Sequence, residues 1–239
     1  MGRLVAIHQP NFFPWLGYFD KIARCDTFVF MDDVAFPRTG SGSWVNRVRI
    51  LVQKEPVWIT CPVVRDHGTP MIREVRIDDR QPWRKKLLKT LQHNYSKASH
   101  FEDHWDWLQS MIGYETDSLC DFNINAIESI WNRLGLPGHF IRQSSLGTVL
   151  HSTELLIEIT RAVQGNTYLS GGGAGGYQED GRFESSGVRL VYQNYTHPEY
   201  VQQGVPAFIP GLSILDALFQ AGADRISQIL NPKGIDEHP

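Results

Sequence analysis

Residues 4–22 read LVAIHQPNFFPWLGYFDKI, and this stretch predicts the start of an α/β fold. Residues 4–7 form a short apolar run with β-branched members, which is typical of a buried strand. A helix starting near Pro14 follows, because apolar side chains recur there at spacings of four and three. They are Trp15, Phe19 and Ile22. A second apolar run at residues 27–31 completes a predicted β-α-β unit, in which both strands end at the same edge of a parallel sheet.

The periodicity of the remaining chain predicts an antiparallel pair, a helical block and a return to α/β structure. Alternating runs at residues 48–51 and 57–61 predict the antiparallel extension, and a further short strand is expected at residues 74–77. From residue 82 to about residue 134 the apolar period changes to 3.6, which predicts helices. The predicted fold is therefore α/β, with a Rossmann-like, mainly parallel sheet, an antiparallel extension and an inserted helical subdomain. The expected segments are an N-terminal α/β segment with the candidate site (1–81), a helical subdomain (82–137), a C-terminal α/β segment that completes the same domain (138–230) and a tail (231–239).

Composition and charge narrow the class of protein. With 239 residues, of which 41% are hydrophobic and 21% charged, the chain has enough apolar side chains for a full core. The net charge of −3 supplies no basic field for phosphate backbones, so genomic nucleic acid is not an expected partner. The opening apolar run is too short for a signal peptide, and no stretch approaches the ~20 apolar residues of a spanning helix. We therefore expect a cytoplasmic protein that does not insert into a membrane.

The spacing of cysteine and histidine predicts neither disulfides nor a metal centre. Cys25, Cys61 and Cys120 are far apart and odd in number, so they are expected to stay reduced. The nine histidines lack the spacing of metal ligands. We therefore predict no metal-binding residues.

The first candidate site residues follow the two predicted strands. His8 and Gln9 come at the end of the first strand, where open α/β sheets bind their ligands. His8 is the candidate general base, because an imidazole exchanges protons near neutral pH; the alternative is that it anchors a loop carbonyl. Asp32 and Asp33 follow the second strand, and since neighbours on an extended chain face opposite ways, at most one is expected to act as a base or to position a cation or amine. Turn formation is the alternative for this pair.

Residues near the first helix and the antiparallel extension form a second group of candidates. The run from residue 14 to residue 21 is similar, at the level of the fold alone, to nucleotidyltransferase-type proteins, in which a helix amino terminus holds phosphate. Its expected substrate contacts are Trp15, Tyr18 and Lys21. Asn46 and Arg47 precede a predicted strand, and the planar guanidinium of Arg47 suits a carboxylate or a phosphate. A surface ion pair is the alternative for Arg47.

Two later segments supply the remaining candidates. Residues 170–177 read SGGGAGGY after a predicted strand, and a glycine-rich backbone can approach an anion closely, although a mobile linker is the alternative. The substrate contacts expected in this region are Tyr168, Ser170, Gly171, Gly172 and Tyr177. Ser213 and Asp216 have the spacing of a capping box, so a helix start is the default interpretation, with the Ser213 hydroxyl also able to face a substrate. Tyr200 and Gln202 lie two apart on an extended stretch, so they are expected to face the same side.

The pattern as a whole resembles the WbqC-like family. The resemblance runs from about Leu4 to Gly222, and its most specific part is residues 8–19, HQPNFFPWLGYF. Its other parts are Asp32-Asp33, Asn46-Arg47, residues 168–171, residues 200–202 and residues 212–216. The resemblance implies a role in the biosynthesis of bacterial surface polysaccharides or natural products.

These observations favour an enzyme that transfers a group to a small molecule. The leading hypothesis is acyl or aminoacyl transfer, or amide formation, on a small amine-bearing metabolite or an activated sugar, with His8, Asp32, Asp33 and Arg47 as catalytic candidates. The expected cofactor or donor is a nucleotide or an activated acyl or aminoacyl group, and the sequence leaves open a donor carried on tRNA or on a carrier protein. One alternative is an ATP-dependent ligase or nucleotidyltransferase, and another is a non-catalytic binding or scaffold protein of a biosynthetic assembly. The sequence makes no prediction of the oligomeric state.

Overall fold

Five parallel strands form the central sheet of the computed structural model, which describes residues 2–37, 43–64, 68–172 and 179–230. Together with a separate antiparallel pair, the described residues contain seven strands. In chain order they are β1 (Leu4–His8), β2 (Thr27–Phe30), β3 (Arg47–Val52), β4 (Glu55–Thr60), β5 (Phe140–Arg142), β6 (Thr167–Ser170) and β7 (Arg189–Tyr192). The central sheet has the order β5-β2-β1-β6-β7, and all its neighbouring strands run parallel. Strands β3 and β4 pair antiparallel with each other. The predicted α/β class, with a parallel sheet and an antiparallel extension, is confirmed.

Seven α-helices surround the strands in the described ranges. They are α1 (Leu16–Ala23), α2 (Trp83–Tyr95), α3 (Phe101–Ile112), α4 (Leu119–Arg133), α5 (Ser152–Ala162), α6 (Asp180–Ser186) and α7 (Ile214–Leu230). Helices α2 to α4 occupy the segment that the sequence predicts as helical. Their apolar side chains belong to the same core cluster as one face of the central sheet. None of the helices described is long and apolar enough to cross a membrane.

The order of the strands determines where a ligand can enter the sheet. The chain builds β1 at the centre, adds β2 and β5 on one side, and then crosses over to add β6 and β7 on the other. The connections therefore diverge at the carboxyl ends of β1 and β6, which is where open α/β sheets bind their ligands. His8 lies at the end of β1 and Ser170 at the end of β6.

Alternating side chains of β1 bury both faces of the sheet. Ala6 belongs to the larger core, which also contains side chains of α1, whereas Val5 and Ile7 belong to a second core with side chains of α5. This alternation is expected for a strand with period two that is covered on both sides. The two cores fix the direction of β1 and hence the direction of His8 at its end.

The antiparallel pair and the segment after it differ modestly from the prediction. Strands β3 and β4 begin one or two residues before the predicted runs, and Val48 and Ile50 are buried on the inner face of the pair. The strand expected at residues 74–77 is instead a 3-10 turn over Ile72–Glu74, followed by an isolated bridge at Ile77. The Glu74 carboxylate accepts a hydrogen bond from the Met71 backbone N–H at 3.0 Å, and this local bond favours the turn.

Candidate active site

A cavity of about 440 Å³ lies at the carboxyl ends of β1 and β6, where the two halves of the sheet diverge. Its volume is in the range of small-molecule sites. Five of the residues predicted from the sequence line it: His8, Gln9, Lys21, Tyr168 and Gly171. Five further residues complete the wall: Ile7, Met31, Val34, Ser152 and Leu156. The structure therefore brings the start of the chain and the beginning of the glycine-rich segment to one site.

Lys21 places a buried ammonium group in this cavity. Its side chain extends from α1, only 3% of the residue is exposed, and Nζ donates a hydrogen bond to the Ile7 carbonyl at 2.9 Å. Nζ also lies 5.7 Å from the centre of the Tyr168 ring, which provides a cation–π contact. Burial lowers the pKa of Lys21 to about 8. No carboxylate of the described residues forms an ion pair with it.

His8 presents a neutral imidazole beside Lys21. Its Nδ1 lies 3.1 Å from the Gln9 carbonyl, and because a carbonyl can only accept, Nδ1 carries the proton and Nε2 remains an acceptor. Tyr18 supports this arrangement, since its hydroxyl donates to the same carbonyl at 3.0 Å and its ring meets the imidazole edge-on at 4.8 Å. Burial, and secondly the charge of Lys21, lower the pKa of His8 to about 3. His8 is therefore suited to accept a hydrogen bond, and Lys21 is the better candidate for proton exchange near neutral pH.

The acidic pair after β2 is bound to other partners outside the cavity lining. The buried Asp32 carboxylate accepts from the Ser144 backbone N–H at 2.9 Å and from the Ser144 hydroxyl at 2.7 Å. Asp33 accepts from Arg73 Nε at 2.5 Å, which forms a partly exposed ion pair. The neighbouring Met31 and Val34 line the cavity instead. Both carboxylates therefore bind other groups of the protein, and neither lines the cavity.

Asn46 and Arg47 belong to the antiparallel pair and the loop before it. Asn46 Nδ2 donates to the Cys61 carbonyl at 3.1 Å, and its Oδ1 accepts from the Ser43 hydroxyl at 3.3 Å. The Arg47 guanidinium lies 4.6 Å from the centre of the Trp58 ring, and its Nε donates to the Ser43 carbonyl. Neither residue lines the cavity at β1 and β6.

Four candidates near the C-terminus lie in a separate polar cluster. The buried Asp216 carboxylate accepts from Tyr95 at 3.0 Å, from Tyr200 at 2.7 Å and from Gln202 Nε2 at 3.1 Å. Burial raises the pKa of Asp216 despite these hydrogen bonds. Ser213 Oγ donates to the Phe13 carbonyl at 2.9 Å and accepts from the Leu215 N–H at 3.2 Å. These contacts join α2, α7 and the segment before α7, and none of the four candidates lines the cavity.

The remaining candidates either do not belong to the cavity lining or lie outside the described residues. Trp15 is half-buried, and its ring meets Tyr195 edge-on at 5.1 Å. Ser170 is fully buried at the end of β6, whereas Gly172 is exposed. Tyr177 lies outside the described residues, as do residues 173–176.

Ser152 is a cavity residue that the sequence reasoning missed. It opens α5 and has a φ of 52°, which is the left-handed region that favours glycine. Non-glycine residues in this conformation cluster at functional sites. The polar run His151-Ser152-Thr153 before an apolar helix was the available signal, because such residues cap helix starts.

The family follows from comparison with known proteins. The chain belongs to the WbqC-like protein family, whose model matches residues 9–228, so the resemblance seen in the sequence is confirmed. It is also similar to the uncharacterized protein Rv1507c of Mycobacterium tuberculosis (strain ATCC 25618 / H37Rv). The two are 32% identical over 224 residues, which cover 93% of this chain and 95% of that protein. No solved structure matches the chain.

The side chains that could ligate a metal ion are not grouped into a metal site in the described residues. In residues 2–37, 43–64, 68–172 and 179–230, no group of three or more His, Cys, Asp and Glu side chains is arranged to hold a metal ion. The polar side chains that line the cavity are those of Lys21, His8, Gln9, Ser152 and Tyr168, and none of them is a carboxylate or a thiol. This set favours hydrogen bonding to an organic or anionic ligand.

Proposed function

We propose that this protein is a cytoplasmic biosynthetic enzyme that transfers an acyl or aminoacyl group to the amine of a small metabolite or activated sugar, forming an amide. The observation that carries the proposal is the pairing of Lys21, whose pKa is about 8, with the neutral His8 in a cavity at the ends of β1 and β6. Ionisable groups with perturbed pKa values in such a cavity mark a candidate functional site. The resemblance to WbqC-like proteins favours surface-polysaccharide or natural-product biosynthesis as the setting.

His8 suits the role of orienting the acceptor amine. Its Nε2 lone pair accepts an N–H of the incoming amine, because Nδ1 is already bonded to the Gln9 carbonyl. This contact directs the amine lone pair towards the carbonyl carbon of the donor. Holding two reactants in such an orientation is enough to supply several kcal/mol of the rate enhancement.

Lys21 suits the proton transfers of amide formation. The amine nitrogen attacks the donor carbonyl carbon, a C–N bond forms, and the bond from that carbon to the leaving group breaks. The Lys21 ammonium gives a proton to the departing group and recovers one from the attacking nitrogen. A group with a pKa of about 8 exchanges protons in both directions near neutral pH. The products are the amide and the protonated leaving group.

Product formation by purified protein tests this proposal. A panel of amino sugars and amines is incubated with acyl phosphates, acyl thioesters or aminoacyl adenylates, and amide products are detected by mass spectrometry. We expect His8→Ala and Lys21→Met to abolish the product, while the exposed-site variant Lys85→Met retains it. Full activity of a folded Lys21→Met protein would contradict the proposal.

An ATP-dependent ligase is the second candidate, and the strand order β5-β2-β1-β6-β7 favours it. This order is the one in which doubly wound proteins bind nucleotides at the divergence of the sheet. A ligase would release ADP or AMP only when the amine and a free carboxylic acid are both present. A transferase acting on a preactivated donor would form the amide without ATP.

A further inference from the structure

We infer that the cavity contains a subsite for a phosphate group, formed by Lys21 and the amino terminus of α5. The inference rests on the proposed function in one respect: it assigns the subsite to the donor, which would then be a phosphorylated or nucleotide-linked compound. Anion binding itself depends only on the charges and hydrogen-bond donors around the cavity.

The first observation is that Lys21 is a buried cation without a counter-charge. Nζ has three N–H donors, and one of them is used by the Ile7 carbonyl. In the described part of the chain, no carboxylate lies within ion-pair distance of Nζ. Among the described residues, the other two N–H groups of the ammonium have no hydrogen-bond acceptor and its charge has no counter-charge, so an anion in the adjoining cavity would supply both.

The second observation is a set of free backbone donors at the start of α5. Ser152 lines the cavity, and the Leu155 N–H makes the first hydrogen bond of the helix, to the His151 carbonyl. Within the described residues, the N–H groups of Ser152, Thr153 and Glu154 donate no hydrogen bond, and no side chain caps this end. The start of an 11-residue helix carries a partial positive charge, so it favours an anion.

The side chains at this helix start leave its backbone donors available. The Thr153 hydroxyl accepts a hydrogen bond from the Glu179 N–H at 3.1 Å, so it is directed away from its own helix. The Glu154 carboxylate forms an ion pair with Arg182. Ser152 keeps a left-handed backbone conformation, with a φ of 52°, which is strained for a residue that carries a side chain. Anion binding gives this strained helix start a function.

Gly171 leaves space for the anion beside Lys21. A Cβ atom at residue 171 would lie 3.9 Å from Lys21 Nζ and 4.0 Å from the Gln193 side-chain oxygen. A larger side chain would therefore fill the volume next to the ammonium group. The absence of a side chain at residue 171 is consistent with a ligand atom in that position.

Direct anion binding tests the inference without a donor or an acceptor. Isothermal titration calorimetry at pH 7.5 measures sulfate, inorganic phosphate and acetate binding to the full-length protein. We expect sulfate and phosphate to bind at least tenfold more tightly than acetate. We also expect Lys21→Met and Gly171→Val to weaken binding at least tenfold, and Lys85→Met to leave it unchanged. Equal affinity for acetate and sulfate, or full binding by a folded Lys21→Met protein, would overturn the phosphate assignment.

The pH dependence of sulfate binding adds a second readout, because sulfate does not titrate in this range. The groups facing Lys21 are His8 at the end of β1, Tyr168 on β6 and Cys25, which follows the end of α1. Burial raises the pKa of Cys25 to about 12 and holds His8 neutral, so neither changes its charge between pH 7.5 and 9.5. Deprotonation of Lys21 over that interval lowers its charged fraction by about 25-fold, and we expect a similar loss of sulfate affinity. An affinity that does not change with pH would contradict the role of Lys21.

The two proposals fail separately. If the wild-type protein forms the amide but does not bind sulfate or phosphate, the phosphate subsite is refuted and the proposed function stands. Anion binding that depends on Lys21, with no product from any donor, would refute the proposed function and leave the subsite. Circular dichroism confirms that each variant is folded, and Gly171→Val provides an independent test if Lys21→Met does not fold.

Discussion

Replacing Lys21 with methionine should stabilise the protein while removing its function. Lys21 is almost fully buried and lacks an acidic partner among the described residues, and burial lowers its pKa from 10.5 to about 8. Methionine has a similar length and fills the same space without a charge. Lys21→Met therefore measures two effects of the ammonium group separately: the stability that its burial costs, and the function that it provides in the cavity.

The magnitude follows from the pKa of Lys21. At pH 7 the difference between 10.5 and about 8 corresponds to about 3 kcal/mol of destabilisation of the charged form. Loss of the hydrogen bond to the Ile7 carbonyl offsets this by about 1 kcal/mol. We therefore expect Lys21→Met to raise the free energy of unfolding by about 2 kcal/mol at pH 7.

The pH dependence identifies the cause. Because the folded pKa is lower than the unfolded one, the unfolded wild-type protein binds more protons between pH 8 and 10.5, and its stability rises with pH across that window. The methionine variant lacks this rise, so its advantage should be lost by pH 10. Urea unfolding followed by tryptophan fluorescence measures both proteins at pH 7 and 10, with Lys85→Met as the control. A Lys21→Met protein that is less stable at pH 7, or an advantage that persists at pH 10, would refute the reasoning.

Three further predictions concern His8, Asp32 and Asp216. Because burial lowers the pKa of His8 to about 3, the unfolded state binds more protons below pH 6.5. Acidification to pH 4 should therefore cost the wild-type protein about 3 kcal/mol more than His8→Asn, as measured by urea unfolding at both pH values. Asp32→Ala should cost about 3 kcal/mol of stability, because it leaves the Ser144 N–H and hydroxyl without an acceptor, yet anion binding by calorimetry should be retained. Asp216→Ala should cost about 4 kcal/mol, because three buried or partly buried donors lose their acceptor, and Asp216→Asn should cost less; equal thermal unfolding temperatures for the two variants would contradict this account.

The elements that the sequence predicts well are those formed by local contacts. The strand at residues 4–7, the helix after Pro14 and the strand at residues 27–31 are all present, because their apolar spacing and turn residues act over short distances. The same holds for the helices after residue 82. Strand order depends on pairing between distant segments, and the position of β1 between β2 and β6 had no local signal.

The candidate site was predictable in part for the same reason. His8 and Gln9 follow β1, so the strand-end rule predicted them, whereas Lys21 was predicted from the adjoining run at residues 14–21; all three line the cavity. Asp32 follows the same rule in the sequence, but Ser144, which is 112 residues away, supplies two donors for its carboxylate. The structural role of Asp32 therefore cannot be predicted without knowing this long-range contact.

The position of β1 at the centre of the sheet has a consequence for biosynthesis on the ribosome. The first strand to be synthesised, β1, pairs on one side with β2. On its other side it pairs with β6, where Leu4 lies opposite Thr167, so this pairing forms only after more than 160 further residues have been synthesised. Until β6 emerges, one edge of β1 lacks its hydrogen-bond partners and is open to pairing with another nascent chain. Release of a prematurely terminated chain ending before residue 167 would therefore yield an aggregation-prone fragment rather than a smaller folded unit.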